Sequence, residues 1–325
     1  MKFVLLFVLG LILIFVLACH QNKSEHKDTK IVKDYFDRTI KIPQKIQRII
    51  PIYYVQAEII CAIGAKDKIV GIGKIDKRSS AFIRDYFPEL MNLPQIGQNS
   101  INYEKIISLK PDIIFTGTEK STNERFEQLG YIAIATYPKN LKDVTDEIVL
   151  YGSILDKVEE AQKISILFNS ITVKIKEVTK NIPLNKIPRV YYMRSDALTS
   201  LGGKMQGEVI SLAGGNLVTN GIGDNSTSLQ ISFEDIYKYN PDVIILRDRA
   251  SLKPKDIYED ERWKDINAVK NKKVFQETYG WTEFRLETIF GIVEKAKWFH
   301  PELFKDFNAE TEYKKFIEIV NQNNK

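Results

Sequence analysis

Residues 102–115 read NYEKIISLKPDIIF and residues 232–245 read SFEDIYKYNPDVII, and the two stretches align at a constant offset of 130 residues. Glu104 matches Glu234, Ile106 matches Ile236, Pro111 matches Pro241 and Asp112 matches Asp242. Asn102 and Ser232 are N-cap residue types, so Glu104 and Glu234 fall in the first turn of a helix, where the helix dipole favours an acid. Pro-Asp ends that helix. The β-branched run that follows predicts a buried strand. A unit this long, present twice, predicts two similar lobes and not a solenoid.

The flanking sequence extends both lobes. RIIPIYY (48–54) predicts a strand, VQAEIICAIGA a helix, KIVGIG (68–73) a strand and YIAIAT (131–136) another. In the second half PRVYYMRS (188–195) predicts a strand, GEVISLAGG (207–215) a helix closed by glycine, and KKVFQET (272–278) a strand. Strands alternating with helices imply α/β lobes with parallel sheets. Between them Val158, Ala161, Ile164, Phe168, Ile171, Ile175 and Val178 recur at steps of three and four with no Gly or Pro, which predicts one long, stiff helix joining the lobes. The ligand site of such sheets lies beyond the carboxyl ends of the strands.

The chain has 325 residues, a net charge of +5 and 44% hydrophobic residues, which is ordinary globular usage. It contains no long Lys/Arg run, so nucleic acid is not the expected partner. With 2 Cys and 3 His it is neither a disulfide scaffold nor a Cys-rich metal protein. After Lys2, residues 3–17 form an apolar stretch of 15 residues, short of the ~20 that a membrane span needs and suited to a signal peptide. Val16-Leu17-Ala18-Cys19 resembles the lipobox of bacterial lipoproteins, which implies lipidation at Cys19. The polar run from His20 to Lys30 then reads as a flexible tether. Cys61 sits in an apolar helical run and is expected to be a buried, inert thiol. The expected organisation is a signal peptide over 1–18, a lipidated tether over 19–30, an N-terminal α/β lobe over 31–156, an interlobe helix over 157–182 and a C-terminal α/β lobe over 183–325.

Nearly everything beyond the tether resembles the substrate-binding lipoproteins of the iron-complex, siderophore and vitamin B12 class of ABC importers. The matching elements are Asp37-Arg38 through Pro43, Arg48-Ile-Ile-Pro51 with Glu58 after it, Gly64 through Gly71, Ile96-Gly97, both Pro-Asp repeats, Leu212-Ala-Gly-Gly215, Ala268 through Val274 and Phe299-His-Pro-Glu-Leu-Phe304. Their order and spacing carry the likeness more than any one of them. The resemblance implies two Rossmann-like lobes joined by one spine helix, with the ligand in the cleft between them. It also implies that Glu104 and Glu234, one acid per lobe, pair with arginines of a membrane permease that works with an ATPase. A monomer exported to the outer side of a bacterial membrane is expected.

The strand ends supply the cleft candidates: Tyr53, Tyr54, Lys74 and Arg78, with Gln98 and Glu119, from the first half. The second half adds Arg194, Arg247, Tyr279, Trp281 and Arg285, with Met193, Lys204 and Arg249. Arginine forks pair with carboxylate or catecholate oxygens and aromatic faces cover flat organic ligands, so an anionic Fe(III) chelate fits the set. Haem, cobalamin and a molybdate-type oxyanion are the alternatives. Neither a cofactor nor a metal bound directly by the protein is expected, because the usual His/carboxylate cluster is missing. His300, the only His outside the tether, lies in the terminal Phe-His-Pro motif, away from the strand ends. No nucleotide loop, G-x-S-x-G or H-E-x-x-H occurs, which argues against an enzyme. A surface adhesin is the alternative of a different class.

Overall fold

The computed structural model of the protein describes residues 29–76, 79–97, 100–196, 198–200, 202–222, 228–281 and 285–325. The first half runs through β1 (Thr29–Lys33), β2 (Thr39–Pro43), β3 (Ile49–Pro51), α1 (Tyr54–Ala62), α2 (Ala81–Tyr86), α3 (Tyr103–Leu109), β4 (Ile113–Thr116), α4 (Lys120–Gln128) and β5 (Ala133–Ala135). Two long helices follow, α5 (Leu141–Leu155) and α6 (Val158–Thr179). The second half holds β6 (Arg189–Met193), β7 (Thr199–Ser200), α7 (Lys204–Leu212), β8 (Asn216–Leu217), β9 (Leu229–Gln230), α8 (Phe233–Tyr239), β10 (Val243–Leu246), α9 (Pro254–Glu259), α10 (Asn267–Lys270) and β11 (Val274–Gln276). The chain ends in α11 (Thr288–Phe299) and α12 (Ala309–Asn323).

Each half builds a sheet from its copy of the repeat. In the first, β3, β4 and β5 run parallel, with Ile49 beside Ile113 and Ile114 beside Ala133. In the second, β11, β10, β6 and β8 run parallel, and β7 and β9 add two short antiparallel strands at the β6 edge. Every residue of β4 and β10 is buried, as expected of parallel strands covered on both faces.

The repeat owes its conservation of pattern to backbone bookkeeping at the helix-to-strand turn. Lys110 and Asn240 close α3 and α8 in the left-handed region, at φ 48° and 38°. Asp112 then accepts the amides of Gln47 and Arg48 at 2.8 and 2.9 Å, while the Arg48 guanidinium donates to the Leu109 carbonyl at 2.7 Å. Asp242 accepts the Arg189 amide at 3.0 Å, and Arg189 donates to the Tyr239 carbonyl at 3.1 Å. One Arg-Asp pair per half therefore ties the end of a helix to the start of the neighbouring strand. Burial raises the Asp242 carboxyl, but the side-chain and backbone hydrogen bonds from Arg189, the Asn267 hydrogen bond and the Arg189 charge together hold it below its ordinary range.

The expected interlobe helix is α6, which is 22 residues long and spans about 33 Å. It forms a hairpin with α5. Asp156 turns the chain at φ 60°, and Gly152 lets the two helices close, since a Cβ there would lie 2.5 Å from the Ala161 Cβ. Ala161, Ile164, Phe168, Ile171 and Ile175 are buried on the predicted face, whereas Val158 is exposed.

Three expectations change. KIVGIG (68–73) forms no regular strand; it touches β3 only through an Ile49–Ile69 bridge and two flanking hydrogen bonds. Gly73 lies so close under Ile52 that a Cβ would sit 1.6 Å from its carbonyl oxygen. The tether expected over 19–30 overlaps β1, because Thr29 and Lys30 already pair with Pro43 and Ile42, and the Lys30 ammonium lies 2.7 Å from Asp156. The stretch 183–325 does not close on itself. Its last helix, α12, returns to the first half, where Asn323 donates to the Ala62 carbonyl at 3.0 Å and Phe316 packs 5.7 Å from Phe82. One apolar core consequently runs from α1 through α6 to α11 and α12. Residues 1–18, expected to be a signal peptide, and Cys19 lie outside the described residues.

Candidate ligand-binding site

The strand ends of the first half and two arginines of the second enclose a cavity of about 290 Å³. Its floor comes from the residues after β3, β4 and β5: Tyr53 and Tyr54, Gly117 and Thr118, Thr136 and Tyr137. These positions follow from parallel-strand geometry, in which the carboxyl ends open onto one rim. Gln56 fastens the floor by donating to the Thr116 carbonyl at 2.8 Å and to the Thr136 hydroxyl at 3.1 Å. Thr136 in turn lies 3.0 Å from the Tyr151 hydroxyl.

Arg247 and Arg285 reach the cavity from the second half. Arg247 follows β10, and its amide donates to the Met193 carbonyl at 2.9 Å. Arg285 is almost fully buried and crosses between the halves. It donates to the Tyr54 hydroxyl at 2.8 Å and to the Ser79 carbonyl at 2.7 Å, and its guanidinium lies 5.1 Å from the Tyr54 ring centre. Behind it Glu58 stands 3.6 Å away, itself wholly buried, and Glu287 is buried beside both. Burial raises the pKa of both acids; Arg285 opposes the shift without cancelling it. One guanidinium cannot neutralise two buried carboxylates, so the cluster retains a proton on its acids.

Glu147, on α5, completes the wall. The residue as a whole is only half-buried, but its carboxyl is turned out of bulk water, and desolvation pushes it up to about 7 against the opposing Thr136 hydrogen bond. Burial also raises the Tyr53 phenol, with Glu119 adding to the effect. The cavity is therefore lined by two guanidinium groups and two phenols, and carries a carboxyl pushed up to about 7.

Of the residues expected in the cleft, Tyr53, Tyr54, Arg247 and Arg285 come together on this cavity. Both tyrosines line it, although alternation along an extended segment predicts one; the chain turns into α1 at Tyr54. Tyr279 stands apart from the floor, with the Arg249 guanidinium 5.3 Å from its ring and donating to the Ser79 carbonyl at 2.9 Å. Lys74 is exposed and Arg194 half-buried at the end of β6; neither lines the cavity. Trp281 is not a cleft residue. It turns into the core, 5.4 Å from Tyr313 and 5.9 Å from Phe290, because its amide closes a turn onto Thr278 that folds the side chain inward. Arg78 and Gln98 lie outside the described residues. His300, just past the end of α11, is buried with its ring nitrogen 2.8 Å from the Gly214 carbonyl. Cys61 is buried, and burial raises its thiol. Among the described residues no group of His, Cys, Asp and Glu is arranged to hold a metal ion.

Sequence reasoning missed Gln56, Thr118, Tyr137 and Glu147. The first three follow from the strand-end rule that located Tyr53. Glu147 carried no signal, since LKDVTDEIVLYG offers several acids on an amphipathic helix and only packing selects the one that turns inward.

Glu104 and Glu234 are both exposed in the first turns of α3 and α8, away from the cavity. Their N-caps hold, with Asn102 accepting the Lys105 amide at 2.9 Å and Ser232 the Asp235 amide at 3.0 Å.

Known proteins share this architecture. The molybdate-binding protein MolA of Haemophilus influenzae is 26% identical over 86% of this chain and 88% of its own length. The Fe(3+)-citrate-binding protein YfmC of Bacillus subtilis is 24% identical over 81% of this chain and 83% of its own length. The crystal structure of a periplasmic solute binding protein from Veillonella parvula superposes with a TM-score of 0.77 at 26% identity, covering 89% of this chain and 92% of that one. The family description "periplasmic binding protein" matches residues 49–277, most of the folded part. With two α/β lobes, one long helix between them and a cleft at the strand ends, the chain belongs to the periplasmic binding proteins, the exported solute-binding components of ABC importers, and is a carrier, not an enzyme.

Proposed function

We propose that the protein captures a compact anionic ferric chelate of the siderophore or citrate kind and delivers it, unchanged, to an ABC permease and its ATPase. The observation that carries this reading is the pairing of Arg247 and Arg285 with Tyr53 and Tyr54 across one cavity. Guanidinium forks match carboxylate or catecholate oxygens, and phenol faces cover an organic scaffold. The ferric citrate named for the YfmC relative is cargo of this chemistry.

A molybdate-type oxyanion is the second reading. It is favoured by the cavity volume of about 290 Å³, at the bottom of the usual range for ligand sites, and by the cargo named for the MolA relative. The same volume weighs against haem and cobalamin. Calorimetric titration with ferric citrate, a ferric catecholate, molybdate, haemin and cobalamin decides among them. Binding of haemin or cobalamin with no binding of the anions would overturn the reading.

Delivery rests on two further proposals. Lipid on Cys19 would hold the protein at the membrane, and a palmitate analogue should label wild type but not Cys19→Ser. Glu104 and Glu234 would meet permease arginines, one per half. Changing both to Ala should leave affinity and thermal midpoint near wild type while transport and ATPase stimulation fall sharply. Normal uptake by that double variant would refute docking at these acids.

A further inference from the structure

Glu147 stands in the cleft wall without a counter-ion. Among the described residues it belongs to no ion pair, and the groups around it explain why. Its own helix presents Asp143 and Tyr151, the end of β5 presents Thr136, and the α1 segment presents Gln56 and Tyr54. The second half contributes Arg247 and Arg285, and Arg285 is already held by Tyr54, the Ser79 carbonyl and Glu58, with Glu287 behind it. An ionised Glu147 would place a negative charge in the wall of a cavity whose arginines attract anions, where like charges repel strongly out of bulk water.

We propose that Glu147 is a specificity-determining residue that meets the ligand as a neutral carboxylic acid and donates its hydrogen to a ligand oxygen, so that the cleft takes up an anion and a proton together. The inference rests on the anion-binding reading above and adds to it a requirement: the ligand must present an anionic acceptor oxygen toward α5. It selects against neutral ligands, which gain no such linkage.

Desolvation is the main cause that brings the carboxyl to about 7, and Asp143 pushes in the same direction. A bound anion raises it further. Linkage then fixes the sign: affinity for an anion is full below about 7 and falls as pH rises, by up to tenfold per pH unit, until the pKa of the complex is reached. Burial raises the Tyr53 and Tyr151 phenols further above this range, Arg285, though buried, is held charged by its acidic neighbours, and His300 lies away from the cleft. Glu58 and Glu287 are also raised, so comparison with a Glu147 variant is what isolates this residue.

Three measurements test the proposal on wild type and Glu147→Gln. The first needs no ligand. A wild-type-minus-variant infrared difference spectrum should show a protonated carboxyl that disappears as pH is raised from about 6 to about 9. An ionised Glu147 at about pH 6 overturns the inference. The second follows molybdate affinity over the same range, because molybdate keeps its charge there. Wild type should lose roughly tenfold per pH unit above neutrality, and the variant, with a permanently neutral amide donor, should stay level. The third is ferric citrate calorimetry in two buffers of different ionisation heat, which should show proton uptake by wild type and little by the variant. Anion binding with equal pH dependence in both proteins sinks the role of Glu147 and leaves the anion reading standing. If neither anion binds either protein at any pH, the anion reading itself falls and takes this inference with it.

Discussion

Arg285→Met tests the buried cluster beneath the cleft. The substitution keeps the length of the side chain and removes its charge. In wild type the guanidinium makes hydrogen bonds of 2.8 Å to Tyr54 and 2.7 Å to the Ser79 carbonyl, and stands 3.6 Å from Glu58. Its loss orphans those two partners, at about 1 kcal/mol each. It also leaves Glu58 and Glu287 buried with only the weaker, more distant charge of Arg249 acting on Glu58. Breaking a buried pair in this way costs roughly 3–5 kcal/mol when the acids stay ionised. They need not stay ionised. The folded pKa of both acids is already raised by burial and rises further without Arg285, so the stability they contribute is intact below the unfolded value and drains as pH climbs through the folded value. The expected loss is therefore about 2 kcal/mol near pH 5, from the two hydrogen bonds alone, and rises toward about 5 kcal/mol as the acids ionise at higher pH. Urea midpoints at the two pH values read it directly. Adding Glu58→Gln and Glu287→Gln to Arg285→Met should flatten the pH dependence. A loss of equal size at both pH values would show that the acids do not depend on Arg285, and the account of the cluster would be wrong.

Other consequences are smaller. Glu147→Gln should stabilise the ligand-free protein only at higher pH: a folded value near 7 against an ordinary 4.5 means a penalty absent below 4.5 and complete above 7. The residue as a whole is only half-buried, so the gain near pH 8 is discounted to about 1–2 kcal/mol, and a gain already present near pH 4 would contradict it. Asp242→Ala should cost about 2–3 kcal/mol and Asp112→Ala about 1–2, because Asp242 also carries a bidentate Arg189 pair, with Nη2 3.0 Å from Oδ1. Thermal or urea unfolding of the two variants ranks them, and the reverse order would count against the turn assignment. Since Trp281 lies in the core with Phe290 and Tyr313, its fluorescence should change little on ligand binding, and strong quenching would place it elsewhere.

What the sequence disclosed depended on whether local pattern or distant packing set each feature. The duplicated Asn/Ser-x-Glu…Pro-Asp unit is a local instruction, with cap, helix, left-handed stop and strand within fourteen residues, and both copies fold accordingly. Tyr53, Tyr54, Arg247 and Arg285 were reachable by topology, since they follow strands or lie at the cleft rim. Trp281 was not, because strand-end position says nothing of side-chain direction once a turn intervenes. The run 68–73 has the composition of a strand, but Gly73 passes too close to Ile52 for a regular ladder to form. The return of α12 to α1 is a contact between residues 261 apart, and nothing local to either segment encodes it.

That return bears on how the protein can move. A two-lobed binder opens by bending whatever links its halves, and loop hinges absorb large backbone changes whereas packed helices permit small sliding. Here the link is α6, free of Gly and Pro, packed along one face by Phe168 against Phe290 of α11 and Phe316 of α12. The last helix then hydrogen-bonds the end of α1 through Asn323 and Asn324. A wide hinge motion would have to break this shared core, whereas the rim contacts of Arg249 and Arg285 with the Ser79 carbonyl are polar and few. If the ligand is a small anion, as proposed above, its entry should need the release of those side chains more than the separation of the halves. The spacing between Glu104 and Glu234 should therefore change little when ligand binds; distance measurements between spin labels beside the two acids check it, and a large shift on loading would refute the shared-core argument.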